Sequence, residues 1–521
     1  MWAMWQQIGA RDRRNWDSSE RARPAWRRSG IVVTSLLILM ACSPALNREL
    51  PEGSPFREMV ANPPKPVPQG VASGDVTHHS AVIWTRTDGP ALVQMEWWPG
   101  DGSDGRDLRP TEPIAKGARS PIYQTEQAQD FTLKVVLGEL QPATVYRFLV
   151  RTASPTAGTD FGRTATVGGS GQFRTAPSPD DHRAVTFVWS GDLGGQNQCR
   201  QGERGYPIFD RLRAVHPQFM LFLGDLIYGD RRCLVPPNDP GSDFVATTLD
   251  DFRRKHRYQR EAPALRDFLE EVPVWAIWDD HEVHNNFSGS TQPNMPVGRR
   301  ALVEYWPIRP WPEDPARLYR SVRYGADLEL FILDTRQYRS PNPQPDGPTK
   351  TMLGTAQRDW LIEGITRSTA TWKVIATSVP IANNRKPIGR GIPGNDSWAR
   401  ADDGTGFEQE LSMILHAMQS HAVRNVVWLA GDVHYTQGTA FDPDGDGLPD
   451  FHEFIAGPLS AMFGRVVTPP STFRPTVAFA ETGFANFGVV TVTERIFQVD
   501  IVDAEGKVRY RYTIKARSPG A

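Results

Sequence analysis

The stretch Met220-Leu221-Phe222-Leu223-Gly224-Asp225-Leu226-Ile227-Tyr228 joins an apolar run to a glycine, a carboxylate and a tyrosine. A short apolar run that ends in a turn signal is typical of a buried strand. In open α/β sheets the ligand crevice lies at the carboxyl ends of such strands. The stretch therefore predicts an α/β sheet that carries Asp225 at the edge of a site.

Three further apolar runs, at residues 185–189, 274–278 and 426–430, end in the same way. The acidic motifs that follow them are Gly191-Asp192-Leu193-Gly194, Trp278-Asp279-Asp280-His281-Glu282 with Asn285 and Asn286 behind it, and Gly431-Asp432-Val433-His434-Tyr435. Carboxylates cannot be crowded together in a buried place unless a cation offsets their charge. The four motifs together therefore indicate a hydrolase with two metal ions.

The order and spacing of these motifs resemble the calcineurin-like metallophosphoesterases and, within them, the PhoD-like alkaline phosphatases. The resemblance runs from about Pro66 nearly to the end of the chain. The other segments that carry it are Gly229-Asp230, Pro68-Gln69-Gly70-Val71-Ala72-Ser73-Gly74-Asp75, Leu333-Asp334-Thr335-Arg336-Gln337-Tyr338-Arg339 and Phe454-Ile455-Ala456-Gly457-Pro458-Leu459. The resemblance implies an α/β fold: a layered two-sheet metallophosphatase domain with helices on the outside, preceded by an all-β sandwich of immunoglobulin or fibronectin type.

The first 41 residues are predicted to be a lipoprotein signal peptide. The apolar run at residues 31–40 is shorter than the ~20 residues that a spanning helix needs, and Leu39-Met40-Ala41-Cys42 resembles a bacterial lipobox. That resemblance implies acylation of Cys42, membrane attachment through this lipid anchor and an exported protein in the cell envelope. An uncleaved anchor helix is the alternative. Arg27-Arg28 loosely resembles a twin-arginine signal, which leaves the export route open.

The remaining chain divides at a Pro-rich linker, residues 175–179. Residues 42–66 are predicted to be a tether, 67–177 the β-sandwich and 178–521 the catalytic domain. Short strands are expected in the sandwich, at 81–86, 92–97, 131–137, 145–151 and 171–174, and residues 140–148 resemble a tyrosine corner. In the catalytic domain, helices are expected at 205–215, 252–271, 355–368 and 407–421, and further strands at 328–333, 373–378 and 489–502.

Charge and cysteine content restrict the class of protein. The 58 basic and 60 acidic residues are balanced, so no nucleic-acid partner is indicated. Cys199 and Cys233 follow the first two acidic motifs. In an oxidising compartment they are candidates for a disulfide, with two unpaired thiols as the alternative.

The family resemblance implies two kinds of metal site. An iron(III) ion would be held by Asp192, Asp225, Tyr228 and His434, and one or two calcium-like ions by Asp225, Asp280, Asn285 and Asp432. Asp432 stands where the superfamily has a histidine, which favours oxygen-preferring cations such as calcium or magnesium. Asp225 corresponds to the carboxylate that bridges the two metals.

Other residues near the motifs receive roles by the same resemblance. His281 and Asp225 are the predicted catalytic residues; His281 would protonate the leaving alkoxide or stabilise the transition state, or else only orient a ligand. Independently of the resemblance, Arg231 and Arg232 follow the second motif and are candidates for phosphate binding as charge-assisted donors, with a surface position as the alternative. Arg336 is expected to pair with Asp334 beneath the site. The implied reaction is in-line attack on phosphorus by a metal-bridged hydroxide.

A separate acidic segment, residues 442–453, matches the pattern of a calcium-binding loop. Its predicted ligands are Asp442, Asp444, Asp446, Asp450 and Glu453. The alternative is an acidic turn without a bound ion, with Glu453 belonging to a core strand.

The sequence thus predicts an exported, metal-dependent phosphoesterase that acts on phosphomonoesters, phosphodiesters or both. The first alternative is a phosphodiesterase or phospholipase D-like enzyme with little monoesterase activity. The second is a non-catalytic, calcium-dependent cell-surface binding protein. The oligomeric state is not predicted.

Overall fold

The computed structural model describes residues 66–100, 117–381, 383 and 394–517. The predicted signal peptide, Cys42 and the tether up to residue 65 lie outside the described residues. No helix in the described ranges is long and apolar enough to cross a membrane.

Twenty-one strands lie in the described ranges. In chain order they are β1 Val71–Gly74, β2 Ala81–Arg86, β3 Leu92–Pro99, β4 Ala118–Arg119, β5 Tyr123–Gln124, β6 Thr132–Leu137, β7 Val145–Ala153, β8 Thr166–Arg174, β9 Val185–Ser190, β10 Met220–Leu223, β11 Val274–Ile277, β12 Arg320–Tyr324, β13 Leu328–Ile332, β14 Trp372–Ala376, β15 Val426–Ala430, β16 Thr436–Phe441, β17 Phe451–Ile455, β18 Pro475–Glu481, β19 Asn486–Val492, β20 Ile496–Asp503 and β21 Val508–Lys515.

The α-helices of the same ranges are α1 Phe161–Thr164, α2 Ile208–Ala214, α3 Leu249–Arg260, α4 Pro263–Glu271, α5 Met295–Tyr305, α6 Gly354–Arg367 and α7 Glu408–Ser420. One predicted helix, residues 252–271, is divided into α3 and α4. The break falls at Ala262, whose extended backbone precedes Pro263, because a residue before proline disfavours the helical region. Helix α5 was not predicted.

The first large sheet has nine strands in the order β21-β20-β19-β9-β10-β11-β1-β2-β6. Its centre is parallel: Met220 of β10 pairs with Val188 of β9 and with Val274 of β11. Strand β10 is fully buried, which agrees with its unbroken apolar sequence. The parallel alignment brings the carboxyl ends of β9, β10 and β11, and hence the first three acidic motifs, to one edge of the sheet.

A second sheet of seven strands, in the order β12-β13-β14-β15-β17-β16-β18, supplies the fourth motif at the end of β15. Residues of both sheets share one buried core, including Val188, Leu221, Val374 and Val427. The indole nitrogen of Trp189 donates to the carbonyl of Ala430, 3.3 Å away, and so links the two sheets directly. The predicted layered two-sheet fold is therefore confirmed.

The amino-terminal strands form a sandwich that is continuous with the first sheet. Strands β4, β3, β7 and β8, with β5 beside β3, form a five-stranded sheet, which shares a core with residues of β1, β2 and β6. Strand β1 also pairs in parallel with β11 through Gly74 and Val274. The hydroxyl of Tyr146 accepts the Gln141 N–H at 2.9 Å, as in a tyrosine corner.

A buried ion pair holds the sandwich against the two-sheet part. The carboxylate of Asp75, just after β1, accepts Nη2 of Arg320 from β12 at 2.8 Å, and both side chains are at most 3% exposed. The other oxygen of Asp75 accepts the backbone N–H of Arg309. The pair therefore fixes the position of the β1 end.

We predict that Arg320→Met lowers the free energy of unfolding by about 3–5 kcal/mol, because it leaves the Asp75 charge buried without its cation. The double variant with Asp75→Asn should recover part of this loss. Urea unfolding measures both. Arg367→Met is the control, because the side chain of Arg367 is 79% exposed. If Arg320→Met and Arg367→Met lowered the free energy of unfolding equally, the prediction would be contradicted.

Candidate metal centre

Unusual backbone conformations follow the strands that carry the acidic motifs. Asp192, Asp225, Asp432 and His434 all have φ between 52° and 68°, a region that residues with a Cβ seldom adopt. Such conformations persist where the surrounding structure enforces them, and they cluster at functional sites. Gly224 has φ 95°, and a Cβ there would lie 2.3 Å from the Cβ of Asp279. Only glycine therefore fits before Asp225.

The first group of candidate ligands comprises Asp192, Asp225 and His434, whose ligand atoms all lie within 4.8 Å of one another. The phenol oxygen of Tyr228 lies 3.1 Å from Nε2 of His434. Nδ1 of His434 lies 2.6 Å from the carbonyl oxygen of Met462, which can accept its proton and leave Nε2 free to bind a cation. The four residues predicted to hold iron thus lie together.

The second group shares a member with the first. Asp225, Asp280 and His281 form one cluster, and Asp279, Asp280 and Asp432 form another. Asp225 therefore occupies the position between the two groups that a bridging ligand requires.

Asn285, the remaining predicted ligand, lines the cavity at the site. Its amide nitrogen donates to the side chain of Asn286 at 2.9 Å, and its oxygen accepts Nη2 of Arg231 at 3.4 Å. Asp280, in turn, accepts the backbone N–H of Asn286 at 2.5 Å. Asn285 thus lies in the same turn as Asp280, and its side chain is hydrogen-bonded to Asn286 and Arg231.

Buried carboxylate oxygens without hydrogen bonds test whether cations fit here. Oδ2 of Asp192, Oδ2 of Asp279 and Oδ1 of Asp280 are buried and have no hydrogen-bond partner within the protein. Burial, reinforced by the neighbouring carboxylates, holds the pKa of Asp225 and of Asp432 well above the usual range. Oxygen donors in this state are those that a hard cation stabilises, so the residues fit bound metal cations.

Glu282 supports the first-sheet ligands from below. Its carboxylate accepts the backbone N–H groups of Asp225, Leu226 and Asp279 at 3.1, 2.6 and 2.7 Å. Burial raises its pKa to about 8, although these donors oppose the shift. Glu282 therefore fixes the backbone of two motifs.

Arg336 differs from its prediction. Its guanidinium donates to Asp279 at 2.6 Å and to Asp396 at 2.8 Å, and Nη2 lies 3.6 Å from Asp432. Asp334, the expected partner, instead accepts the backbone N–H of Arg336 at 3.1 Å. The expected pairing with Asp334 is wrong because the long side chain extends past its own turn to carboxylates of other motifs.

Asp230 is a functional candidate that the sequence reasoning did not assign. Its Oδ1 lies 2.6 Å from Nδ1 of His281, whose ring stacks on Tyr228 with centroids 4.2 Å apart. Burial lowers the pKa of His281, but Asp280 and Asp230 outweigh that effect and raise the pKa to about 9. Asp230 lies five residues after Asp225 within the motif already quoted, so a signal for it was present.

The ligands open onto a cavity of about 520 Å³. Of the two arginines predicted to bind phosphate, Arg231 lines this cavity. Arg232 is exposed and is not among the described residues that line it. Several other wall residues come from segments without a motif, and the sequence did not predict them: Gln196, Asn383, Asn395, Asp396, Ser397, Met462, Phe463, Gly464 and Arg465. Only the tertiary structure brings these segments to the site.

Two further predictions concern residues outside the two ligand groups. Cys199 and Cys233 form a disulfide with a Cα–Cα distance of 5.9 Å. Asp442, Asp444 and Asp450 bring carboxylate oxygens within 4.8 Å of one another. Glu453 does not join them: it is buried in β17 and accepts the N–H of Ile381. Its assignment as a loop ligand is wrong because the strand turns it into the core.

The chain is similar in sequence and in structure to known proteins. A family profile described as "PhoD-like phosphatase" matches residues 187–498, and one described as its N-terminal domain matches residues 56–177. The chain belongs to the PhoD-like phosphatase family. The membership expected from the motifs is thereby confirmed.

Individual relatives agree with the family match. Alkaline phosphatase D from Bacillus subtilis is 27% identical in an alignment 408 residues long, which covers 71% of this chain but 64% of that protein. A solved structure of PhoD, 21% identical, has a TM-score of 0.66 over 88% of this chain and 94% of its own. A purple acid phosphatase from yellow lupin, 13% identical, has a TM-score of 0.56 over 86% and 73%. The two structures show a shared metallophosphatase fold.

The buried acids predict how the metal-free protein responds to pH. A carboxyl whose folded pKa is raised stabilises the fold at low pH, and this contribution is lost as pH rises above its unfolded value. The stabilisation from Glu282 is lost between pH 4.5 and about 8. Acidic neighbours raise the pKa of His281, and its stabilisation is lost between pH 6.5 and about 9. His256 and His452, whose pKa values burial lowers, act in the opposite direction below pH 6.5. We therefore expect the stability of the chelated protein to fall between pH 5 and pH 9 relative to that of the metal-loaded protein.

The metal-loaded protein is the comparison for this measurement. Cations at the site stabilise the ionised carboxylates, so the loss between pH 5 and pH 9 should be smaller in the loaded protein. Urea unfolding of both forms at pH 5, 7 and 9 tests this. A difference in stability between the two forms that is the same at all three pH values would contradict the assignment of buried, uncompensated acids.

Proposed function

We propose that the protein is a metal-dependent phosphoesterase that hydrolyses phosphomonoesters, phosphodiesters or both. One observation carries this proposal: Asp225 belongs to two adjoining groups of buried ligands that open onto the same cavity. Two cations held so closely need a shared anionic ligand. Arg231 on the same wall offers a charge-assisted donor for phosphate oxygens.

We assign iron(III) to Asp192, Asp225, Tyr228 and His434, and calcium or another hard divalent cation to Asp225, Asp280, Asn285 and Asp432. When bound, such cations lower the pKa of water and neutralise phosphate oxygens. Burial and the Asp225 charge raise the pKa of Tyr228 well above its usual range in the metal-free protein. Only a strongly charged cation would hold this phenol in its ionised form.

His281 is suited to protonate the leaving oxygen of the ester. Its Nδ1 is held by Asp230 at 2.6 Å, and its ring lines the cavity. The contact of Nδ1 with the Asp230 carboxylate favours the protonated ring, so that Nε2 can donate a proton. Asp230 acts here as a positioning residue through the Nδ1 contact.

The proposed location is outside the cytoplasm, with attachment to a membrane through an acylated Cys42. The disulfide between Cys199 and Cys233 supports this proposal, because disulfides persist in oxidising compartments. Acylation of Cys42 is tested by mass spectrometry of the protein extracted from membranes. A free, unmodified Cys42 in the membrane fraction would contradict it.

The metal assignment predicts both content and colour. The purified protein should contain iron and calcium, absorb visible light through the Tyr228 phenolate, and hydrolyse a chromogenic monoester or diester until chelated. Tyr228→Phe should remove the visible band. Asp225→Asn should reduce metal content at both sites and lower kcat/KM by more than about a hundredfold, beyond the range for residues that only orient ligands.

Metal analysis, a visible spectrum and ester hydrolysis, measured on the same preparations, check these outcomes. Asp243→Asn, an exposed carboxylate after the second motif, is the matched control and should leave all three unchanged. A metal-replete protein that hydrolyses neither ester class would favour the non-catalytic, calcium-dependent binding protein instead. Hydrolysis of the diester alone would favour the phosphodiesterase alternative.

The pairing of Asp230 with His281 predicts a change in the pH profile. Asp230→Asn removes the carboxylate that raises the histidine pKa, so the alkaline limb of kcat should move to lower pH. At neutral pH kcat should fall by about 10–100-fold with metal content unchanged. A reduced kcat with an unshifted alkaline limb would assign Asp230 a purely structural role.

A further inference from the structure

Two large apolar side chains lie exposed on the wall of the cavity. Met462 is 57% and Phe463 49% exposed, and both line the cavity together with the ligand His434. The other described wall residues are polar or charged, except for the buried Val433 and for Gly464. Within the described part of the wall, Met462 and Phe463 are thus the apolar surface that a bound molecule can reach.

The segment that carries these side chains is hydrogen-bonded to two of the predicted metal ligands, His434 and Asp192. The carbonyl of Met462 lies 2.6 Å from Nδ1 of His434, and the N–H of Gly464 donates to the His434 carbonyl at 2.8 Å. The N–H of Ser460 donates to the Asp192 carbonyl at 3.0 Å. Hydrogen bonds at both ends hold the two apolar side chains at a fixed place beside the centre.

Close packing adds to this restraint. A Cβ on Gly464 would lie 2.0 Å from the carbonyl oxygen of Val433, so only glycine permits this approach. The N–H of Met462 also donates to the side chain of Gln196, 3.3 Å away. The backbone of this segment is therefore held in place while the side chains of Met462 and Phe463 remain exposed to the cavity.

We propose that Met462 and Phe463 form a platform that binds an apolar ester group of the substrate, such as an aryl-alkyl alcohol. This inference rests on the proposed phosphoesterase function and specifies its substrate class. The phosphate would lie at the ligands while its apolar ester group packs on the platform, where removal of apolar surface from water favours binding. The apolar surface consists of two side chains bordered by Arg465 and polar residues. Its size therefore suits a small apolar group rather than the surface of a lipid bilayer.

The test compares substrates that differ only in the apolar group. The diesters are phenethyl glyceryl phosphate and diglyceryl phosphate, and the monoesters are phenethyl phosphate and glycerol phosphate. All their alcohols are aliphatic, so leaving-group acidity changes little within a pair, and ³¹P NMR follows every product. The metal-loaded wild type should favour the phenethyl member of at least one pair by about tenfold in kcat/KM.

Phe463→Ala should remove most of this preference while leaving the rate on the glyceryl member within about twofold, and Phe463→Leu should retain part of it. Iron and calcium content should be unchanged, because the backbone of Met462, rather than the Phe463 ring, contacts His434. Leu234→Ala is the matched control, since Leu234 is 57% exposed but absent from the described cavity wall.

The outcomes separate this inference from the function on which it rests. No hydrolysis of any of the four esters by the loaded wild type would overturn the proposed function. Hydrolysis without a phenethyl preference, or a preference that Phe463→Ala leaves intact, would overturn the platform alone. An equal loss on both members of a pair would show that Phe463 only supports the site, which also overturns the platform.

Discussion

The crowding of buried carboxylates at one edge of two sheets is the constraint on which the rest of the structure depends. Asp192, Asp225, Asp280 and Asp432 come from four different strand ends, yet they belong to overlapping groups within each of which the ligand atoms lie within 4.8 Å of one another. Like charges at such distances in a buried place strongly destabilise a fold. The parallel centre of the first sheet and the contact between sheets are therefore compatible with this centre only when cations or protons offset the charge.

Arginine side chains of the protein offset part of this negative charge, and they lie at the second ligand group rather than at the first. Arg336 is fully buried and contacts Asp279 and Asp396, with Asp432 at 3.6 Å. Arg339 adds a second guanidinium at Asp396. The group around Asp192 and His434 has no such arginine among its described ion pairs. The second group thus has guanidinium counter-charges, while the described ion pair of the first is that of Asp192 with His434, 3.4 Å apart.

The same hydrogen bonds that position ligands also reach the surface where a substrate would bind. Glu282 holds the backbone of Asp225 and Asp279, and Asp230 orients His281 on the cavity wall. The segment around Met462 fixes His434 and at the same time exposes two apolar side chains. Rigid ligand geometry and the position of the cavity rim are therefore set by shared backbone contacts, while the exposed side chains of the rim point away from those contacts and into the cavity.

The sequence by itself determined the parts that depend on local order. Apolar runs followed by acidic turns predicted the strands, the α/β class and the ligands Asp192, Asp225 and Asp432, because a buried strand and the turn after it are adjacent in the chain. Only the tertiary structure decided the partners of Arg336, the core position of Glu453 and the apolar wall at Met462 and Phe463. These depend on contacts between segments dozens to hundreds of residues apart, for which no local pattern exists.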